Sequence, residues 1–295
     1  MKNTIFKGAA TAIITPMHDD GSVDYEAFGR LIDFQIANGI DGIVAVGTTG
    51  ESATLADDEH MEAVKFCIDR VAGRVPVIAG TGSNNTDHAI MFTKEAYKLG
   101  ADAVLLVTPY YNKTTQKGLY ESFKATAECA PIPCIIYNVP SRTGCNLQPE
   151  TVAKLAEIPN IVAIKEASGN ISQVAEIAAL CGDKIDIYSG NDDQIIPILS
   201  LGGKGVISVL SNLLPKETHD MCQNFFDGNI DAARDAQLKY IPLVDALFCE
   251  VSPIPVKAAL SAMGYGENVL RLPLVKMEAE HEANLLKLMR EQGLI

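Results

Sequence analysis

No stretch of this chain approaches the roughly 18 consecutive apolar residues that a membrane-spanning helix needs. The opening segment, MKNTIFKGAATAIITP, sets Lys2 and Lys7 ahead of an apolar run. That run meets Pro16 at once and reads as a first strand rather than a secretory leader. The expectation is a soluble protein of the cytoplasm. Surplus positive charge is missing too: 37 acidic residues stand against 24 basic ones, a net charge of −13. This argues against nucleic acid and anionic membrane as partners, because both select basic surfaces. A small anionic substrate stays open, since a few local cations or backbone N–H groups are enough to bind one. The seven cysteines are odd in number and never spaced C-x-x-C, which favours reduced thiols over a disulfide framework or zinc site. The five histidines form no i, i+4 pair, and no metal is expected.

What is present is an ordinary globular composition, 47 % hydrophobic and 21 % charged over 295 residues. One pattern recurs through the first three quarters: a short apolar run, a polar or glycine-bearing loop, then an amphipathic helix. The runs are AATAII from Ala9, GIVAV from Gly42, PVIAG from Pro76, AVLLV from Ala103, CIIY from Cys134, IVAIK from Ile161, IDIYS from Ile185 and GVISV from Gly205. In DYEAFGRLIDFQIANG, Phe28, Leu31, Ile32, Gln35 and Ile36 keep a 3.6-residue period, and Gly39 ends the helix. DDEHMEAVKFCIDRVAG behaves likewise, with Asp57 or Asp58 available as its N-cap. Eight strands alternating with helices over roughly 220 residues predict an α/β fold, a (β/α)8 TIM barrel occupying 1–228. A doubly wound open sheet is the alternative, but the first βα turn lacks the G-x-G-x-x-G fingerprint. Beyond Gly228 the strands stop. IDAARDAQLKYIPLVDALF, PIPVKAALSAMG and PLVKMEAEHEANLLKLMREQG predict a C-terminal all-helical appendage over 229–295.

In such a barrel the reactive side chains gather where strands end and βα loops begin. Strand two ends in VGTTGES, with Thr48, Thr49 and Glu51; strand four in TPYYN, with Tyr110 and Tyr111. Strand five ends in Tyr137, followed by NVPSRTG and Arg142, and strand six ends in Lys165. Burying an ammonium disfavours it, so a lysine in an apolar barrel becomes a neutral amine able to attack a carbonyl and form a Schiff base. The competing reading pairs Lys165 with Glu166 or another acid, although Glu166 points to the opposite side of the strand. Tyr137, one strand away, could shuttle the protons of that chemistry if a nearby ammonium lowers its pKa. GTTGE offers backbone N–H groups and two hydroxyls to a phosphate or a carboxylate, the latter agreeing better with a keto acid. Arg142 has the paired donors that recognise carboxylates, or else lies on the surface.

VGTTGES, VTPYYN, YNVPSRTG, IKEASG and GVISV, in that order and spacing, resemble the dihydrodipicolinate synthases. These belong to the class I pyruvate aldolases, which also include N-acetylneuraminate lyase, and the resemblance runs over essentially the whole chain. It implies that Lys165 forms an imine with pyruvate, while Tyr137 passes protons in a relay with Thr48 and Tyr111. Tyr111 would reach the active site of a neighbouring subunit, making a dimer the minimal active unit and a homotetramer the common assembly. Thr49 and the main chain at Ile207 would hold pyruvate, and Arg142 the carboxylate of aspartate semialdehyde. No metal or organic cofactor is implied, and the pathway would be that of diaminopimelate and lysine. Some members are inhibited by lysine, and Ser52, Ala53, His60, Asn84 and Tyr110 match that effector site. Asp57 stands where those members have histidine, and His88 where they have glutamate, so weak or absent feedback is expected. A sibling aldolase acting on a 2-keto-3-deoxy sugar acid or a sialic acid is the alternative, and Arg142 argues against it. A silent barrel used for binding is the distant one, against which Lys165, Tyr137, Thr48 and Tyr111 all speak. Cys145 lies near Arg142 in sequence with no role assigned.

Overall fold

A computed structural model describes residues 3–295; Lys2, invoked above for its charge, lies outside them. The eight runs form β1 (Gly8–Ala12), β2 (Gly42–Ala45), β3 (Val77–Gly80), β4 (Ala103–Val107), β5 (Cys134–Asn138), β6 (Ile161–Glu166), β7 (Asp186–Ser189) and β8 (Gly205–Ser208). They pair in parallel in chain order, and β8 closes on β1 with Ala10 opposite Ile207. The fold is the predicted (β/α)8 barrel with a helical appendage, and the open sheet is excluded.

Parallel strands buried on both faces read as continuous apolar runs, yet their side chains still alternate. Val104, Leu106, Cys134 and Ile136 face the surrounding helices in one core. Ala10, Val44, Ile78, Leu105 and Ile135 fill the barrel lumen in a second. Tyr188 closes the lower lumen: its ring stacks on Phe6 at 4.2 Å, and its hydroxyl donates to the Phe6 carbonyl at 2.7 Å.

The helix Tyr25–Ala37 starts where Asp24 accepts the Ala27 N–H at 2.9 Å. It buries Phe28, Leu31 and Ile32 on the predicted face. Gln35 shares that face because its amide is satisfied there, accepting from Thr11 and donating to the Asn212 carbonyl. In the helix Asp57–Val71 neither aspartate is the cap. Ala56 holds that position, and Asp57, Asp58 and Glu59 fill the first turn, where the helix dipole favours anions.

The appendage comprises the helices Ile230–Phe248, Ile254–Ala262 and Ala279–Glu291. Residues 273–278, expected to be helical, are not. The Glu278 N–H is taken by the Glu250 carboxylate at 3.0 Å, and the helix starts only after it. Among the described residues no helix is long and apolar enough to cross a membrane.

Candidate active site

The juxtaposition of Lys165 and Tyr137 begins with an irregularity in strand pairing. Cys134 pairs with Ile161, but Ile135 pairs with Ala163, so β6 carries one extra residue, Val162. Without it Tyr137 would lie beside Ile164; with it Tyr137 lies beside Lys165. A one-residue slip exchanges the two faces of a strand, so this bulge puts the lysine in the lumen. Its ammonium nitrogen lies 4.4 Å from the centre of the Tyr137 ring.

Lys165 is 6 % exposed and has no ion-pair partner among the described residues. Burial lowers its pKa to about 8, against an upward pull from Asp192 and with a smaller downward push from Arg142. Glu166 faces the helical layer and is not its partner. That carboxylate accepts the Ser168 N–H at 2.7 Å and bonds from Asn138 at 3.1 Å and Gln173 at 3.3 Å. Tyr137 departs from expectation. Burial of the phenol raises its pKa to about 12, outweighing the pull of Arg142. The lysine lies against the face of the ring, where it does little to stabilise a phenolate.

An inner cavity of about 40 Å³ is lined by Thr48, Thr49, Tyr137, Arg142, Lys165 and Gly190 among others. Ile207 is buried in the lumen core alongside. Gly190 is required by the lysine stem. A Cβ there would lie 3.1 Å from the Lys165 Cε and 2.7 Å from the Ala167 Cβ. Outward lies a cavity of about 490 Å³, walled by Arg142, Asn191, Phe248 and Ser252, and beside it one of about 290 Å³ reaching Glu51 and Tyr110. Arg142 donates to the Ser252 carbonyl at 3.1 Å, so the appendage forms part of the mouth.

Backbone strain points to the same loops. Among the described residues five other than glycine have positive φ, and four of them, Val46, Glu51, Tyr111 and Lys113, follow β2 or β4. A β-branched residue at φ 52, as Val46 is, persists only where its surroundings over-determine it. Gly80 supplies the room, since a Cβ there would meet the Val46 carbonyl oxygen at 2.3 Å. In the threonine loop Gly50, Glu51 and Ser52 turn their N–H groups back on Gly47 and Thr48, which leaves Thr48 and Thr49 at the crest.

The remaining candidates scatter. Tyr111 is 91 % exposed and stands away from its own chain's inner cavity. Ser52, Ala53 and Tyr110 line the 290 Å³ cavity, and Asn84 donates to the Tyr110 carbonyl at 3.3 Å. His60 is buried with Nε2 2.8 Å from the Gly80 carbonyl, and burial lowers its pKa to about 4. Asp57 and His88 contact each other at 3.1 Å. Sequence reasoning missed Gly190, Ser252 and the pairing of Glu51 with Lys257. For the last a signal existed: Lys257 interrupts an apolar helix as Lys165 interrupts an apolar strand.

Comparison with known proteins agrees with this geometry. A relative from Caldicellulosiruptor bescii, named 4-hydroxy-tetrahydrodipicolinate synthase, is 58 % identical over 291 residues, 99 % of this chain and 98 % of that one. The chloride-inhibited dihydrodipicolinate synthase from Acinetobacter baumannii, solved in complex with pyruvate, matches with a TM-score of 0.97 and 44 % identity, covering 99 % of this chain and all of that one. The enzyme from Cyanidioschyzon merolae, solved with lysine bound, gives 0.96 and 44 % with the same coverage. The family model described as Dihydrodipicolinate synthetase matches residues 5–292, from the foot of β1 to beyond the last helix. A lysine-bearing barrel shared over its whole length in sequence and in shape leaves one conclusion: the chain belongs to the dihydrodipicolinate synthetase family.

Proposed function

We infer that the protein condenses pyruvate with L-aspartate 4-semialdehyde to 4-hydroxy-tetrahydrodipicolinate, a lyase-class reaction of lysine and diaminopimelate biosynthesis. The observation that carries this is Lys165, buried beside Tyr137 with its pKa lowered to about 8. Its neutral amine attacks C2 of pyruvate, and the carbinolamine loses water to give the iminium. Loss of a C3 proton gives an enamine, whose carbon adds to the aldehyde. The amino group of the second substrate then attacks C2, closes the ring and releases Lys165, so one water leaves overall. Tyr137, protonated at neutral pH, donates to the departing carbinolamine oxygen and recovers the proton afterwards. Thr48 extends that relay, and Thr49 with the Ile207 main chain holds pyruvate.

Arg142, steadied by the Ser252 carbonyl, receives the semialdehyde carboxylate. Arg142→Ala lowers kcat/KM for the semialdehyde by about a hundredfold and leaves pyruvate trapping intact, and lysine at this position does not restore the paired donors. Steady-state kinetics with each substrate varied in turn reads this out. The sugar-acid and sialic-acid alternatives have no comparable use for Arg142.

The exposed Tyr111 ring, on strained backbone beside the 290 Å³ cavity, suits a homodimer whose partners exchange this residue, with a tetramer as the assembled form. The cytoplasm fits the seven cysteines, all of them free thiols.

Feedback by lysine is absent or weak in this reading. Asp57 and His88 carry acid and base in the reverse order from the inhibited members, and they contact each other. An ammonium at the site meets an imidazole where those members supply a carboxylate. Millimolar lysine therefore leaves turnover of the pure protein unchanged, and inhibition in that range would refute the assignment.

The function itself is tested by mixing pure protein with both substrates and following the cyclic product. If pyruvate is trapped on Lys165 by borohydride while the semialdehyde is untouched, the Schiff-base chemistry stands and the named substrate falls.

A further inference from the structure

Among the described residues two lysines are buried, and the mechanism uses only Lys165. The other, Lys257, lies in the appendage helix Ile254–Ala262. Its Nζ is 2.5 Å from Glu51 Oε1, and neither side chain has any exposed surface. Glu51 occupies the threonine loop in the left-handed region, at φ 57. We propose that Glu51 and Lys257 are positioning residues of the reaction, a charge pair through which the helical appendage fixes the loop that presents Thr48 and Thr49 to pyruvate. The proposal rests on the function inferred above.

The atoms that hold Glu51 come from its own loop and from the appendage. Its second carboxylate oxygen accepts the Arg271 backbone N–H at 3.2 Å, and its own N–H donates to the Thr48 carbonyl at 3.1 Å. The Arg271 side chain is clamped in turn on Glu59 and on the carbonyls of Gly21 and Thr54. Between Glu51 and the threonines there is little slack. Thr15 donates to the Gly50 carbonyl at 2.8 Å, and a Cβ on Gly50 would lie 2.9 Å from the Val46 Cα. A displaced Glu51 carboxylate therefore moves the crest of the loop and not only its own side chain.

A buried ion pair is poor evidence for stability, because apolar residues of similar volume often replace one without loss. What such a pair does supply is geometry: a left-handed glutamate held by two directed contacts fixes a loop that an apolar contact would leave to slide. Misplacement of substrate-holding groups by about 1 Å lowers turnover by up to about a hundredfold.

The test separates folding from positioning. Lys257→Met alone strands a buried carboxylate and should lower both Tm and turnover. Glu51→Gln with Lys257→Met removes both charges; we expect Tm to recover while kcat stays about tenfold or more below wild type and the KM for pyruvate rises. The pH midpoint of borohydride trapping, which reports Lys165, should not move. Glu51→Asp keeps the charge pair but draws the loop back by one methylene, and should raise the pyruvate KM with Tm near wild type. Recovery of kcat and KM together with Tm in the double variant would overturn the proposal, as would wild-type kinetics in Glu51→Asp. A shifted trapping midpoint at unchanged KM would also overturn it, since the pair would then act on Lys165 electrostatically. A wild-type protein that traps no pyruvate would remove the function on which the proposal stands, before any variant is compared.

Discussion

Lys165→Arg abolishes borohydride-dependent labelling by pyruvate and lowers turnover by ~10⁴-fold or more. Guanidinium stays protonated in proteins and cannot form the imine, although it keeps a positive charge at the same place. The wild-type labelling rate carries a second signature. Only the neutral amine reacts, and burial has brought the Lys165 pKa down to about 8. Below that pH the rate falls about tenfold per unit, and above it the rate levels off. At pH 7 about a tenth of the amine is neutral, about 230-fold more than an ordinary lysine with a pKa near 10.4 would offer. Mass spectrometry of reduced adducts across pH 5 to 10 measures both effects. Labelling of the arginine variant, or a midpoint near 10, would sink the assignment of Lys165 as nucleophile.

Tyr137→Phe keeps the ring against the lysine and removes only the hydroxyl. The adduct still forms, more slowly, while kcat falls by about 10³-fold. Because the phenol stays protonated to about pH 12, its loss removes no alkaline limb between pH 8 and 10. The profile of the variant keeps the shape of the wild-type curve at a lower height. A wild-type limb in that range that vanished in the phenylalanine variant would show a phenol titrating there instead, contrary to its burial.

The barrel was legible because each strand is a contiguous apolar run and each helix a periodic one. Lys165 was legible because a charge at the end of such a run has few uses. The bulge at Val162 was not, since an additional valine in IVAIK looks like any other strand residue, and only pairing with β5 reveals that one residue is surplus. The pKa of Tyr137 was misjudged for a related reason. Sequence places an ammonium nearby but says nothing of its position over the ring face, or of how completely the hydroxyl is cut off from water. The capping of Asp57–Val71 failed because adjacent aspartates satisfy the same preference, whether at the cap or in the first turn. The contacts of Arg142 with Ser252 and of Glu51 with Lys257 join residues 110 and 206 positions apart, beyond the reach of local periodicity.

That last separation bears on how the molecule is made. Synthesis proceeds from the N-terminus, so the eight strands can close before Lys257 and Arg271 have left the ribosome. Until then Glu51 has neither of the partners that hold its carboxylate, and the loop carrying Thr48 and Thr49 lacks its brace from the appendage. Contacts between such distant residues form late, after the entropy of closing the intervening loop has been overcome. Lys165 on β6 can thus reach the lumen before the pair that braces the loop of Thr48 and Thr49 has formed.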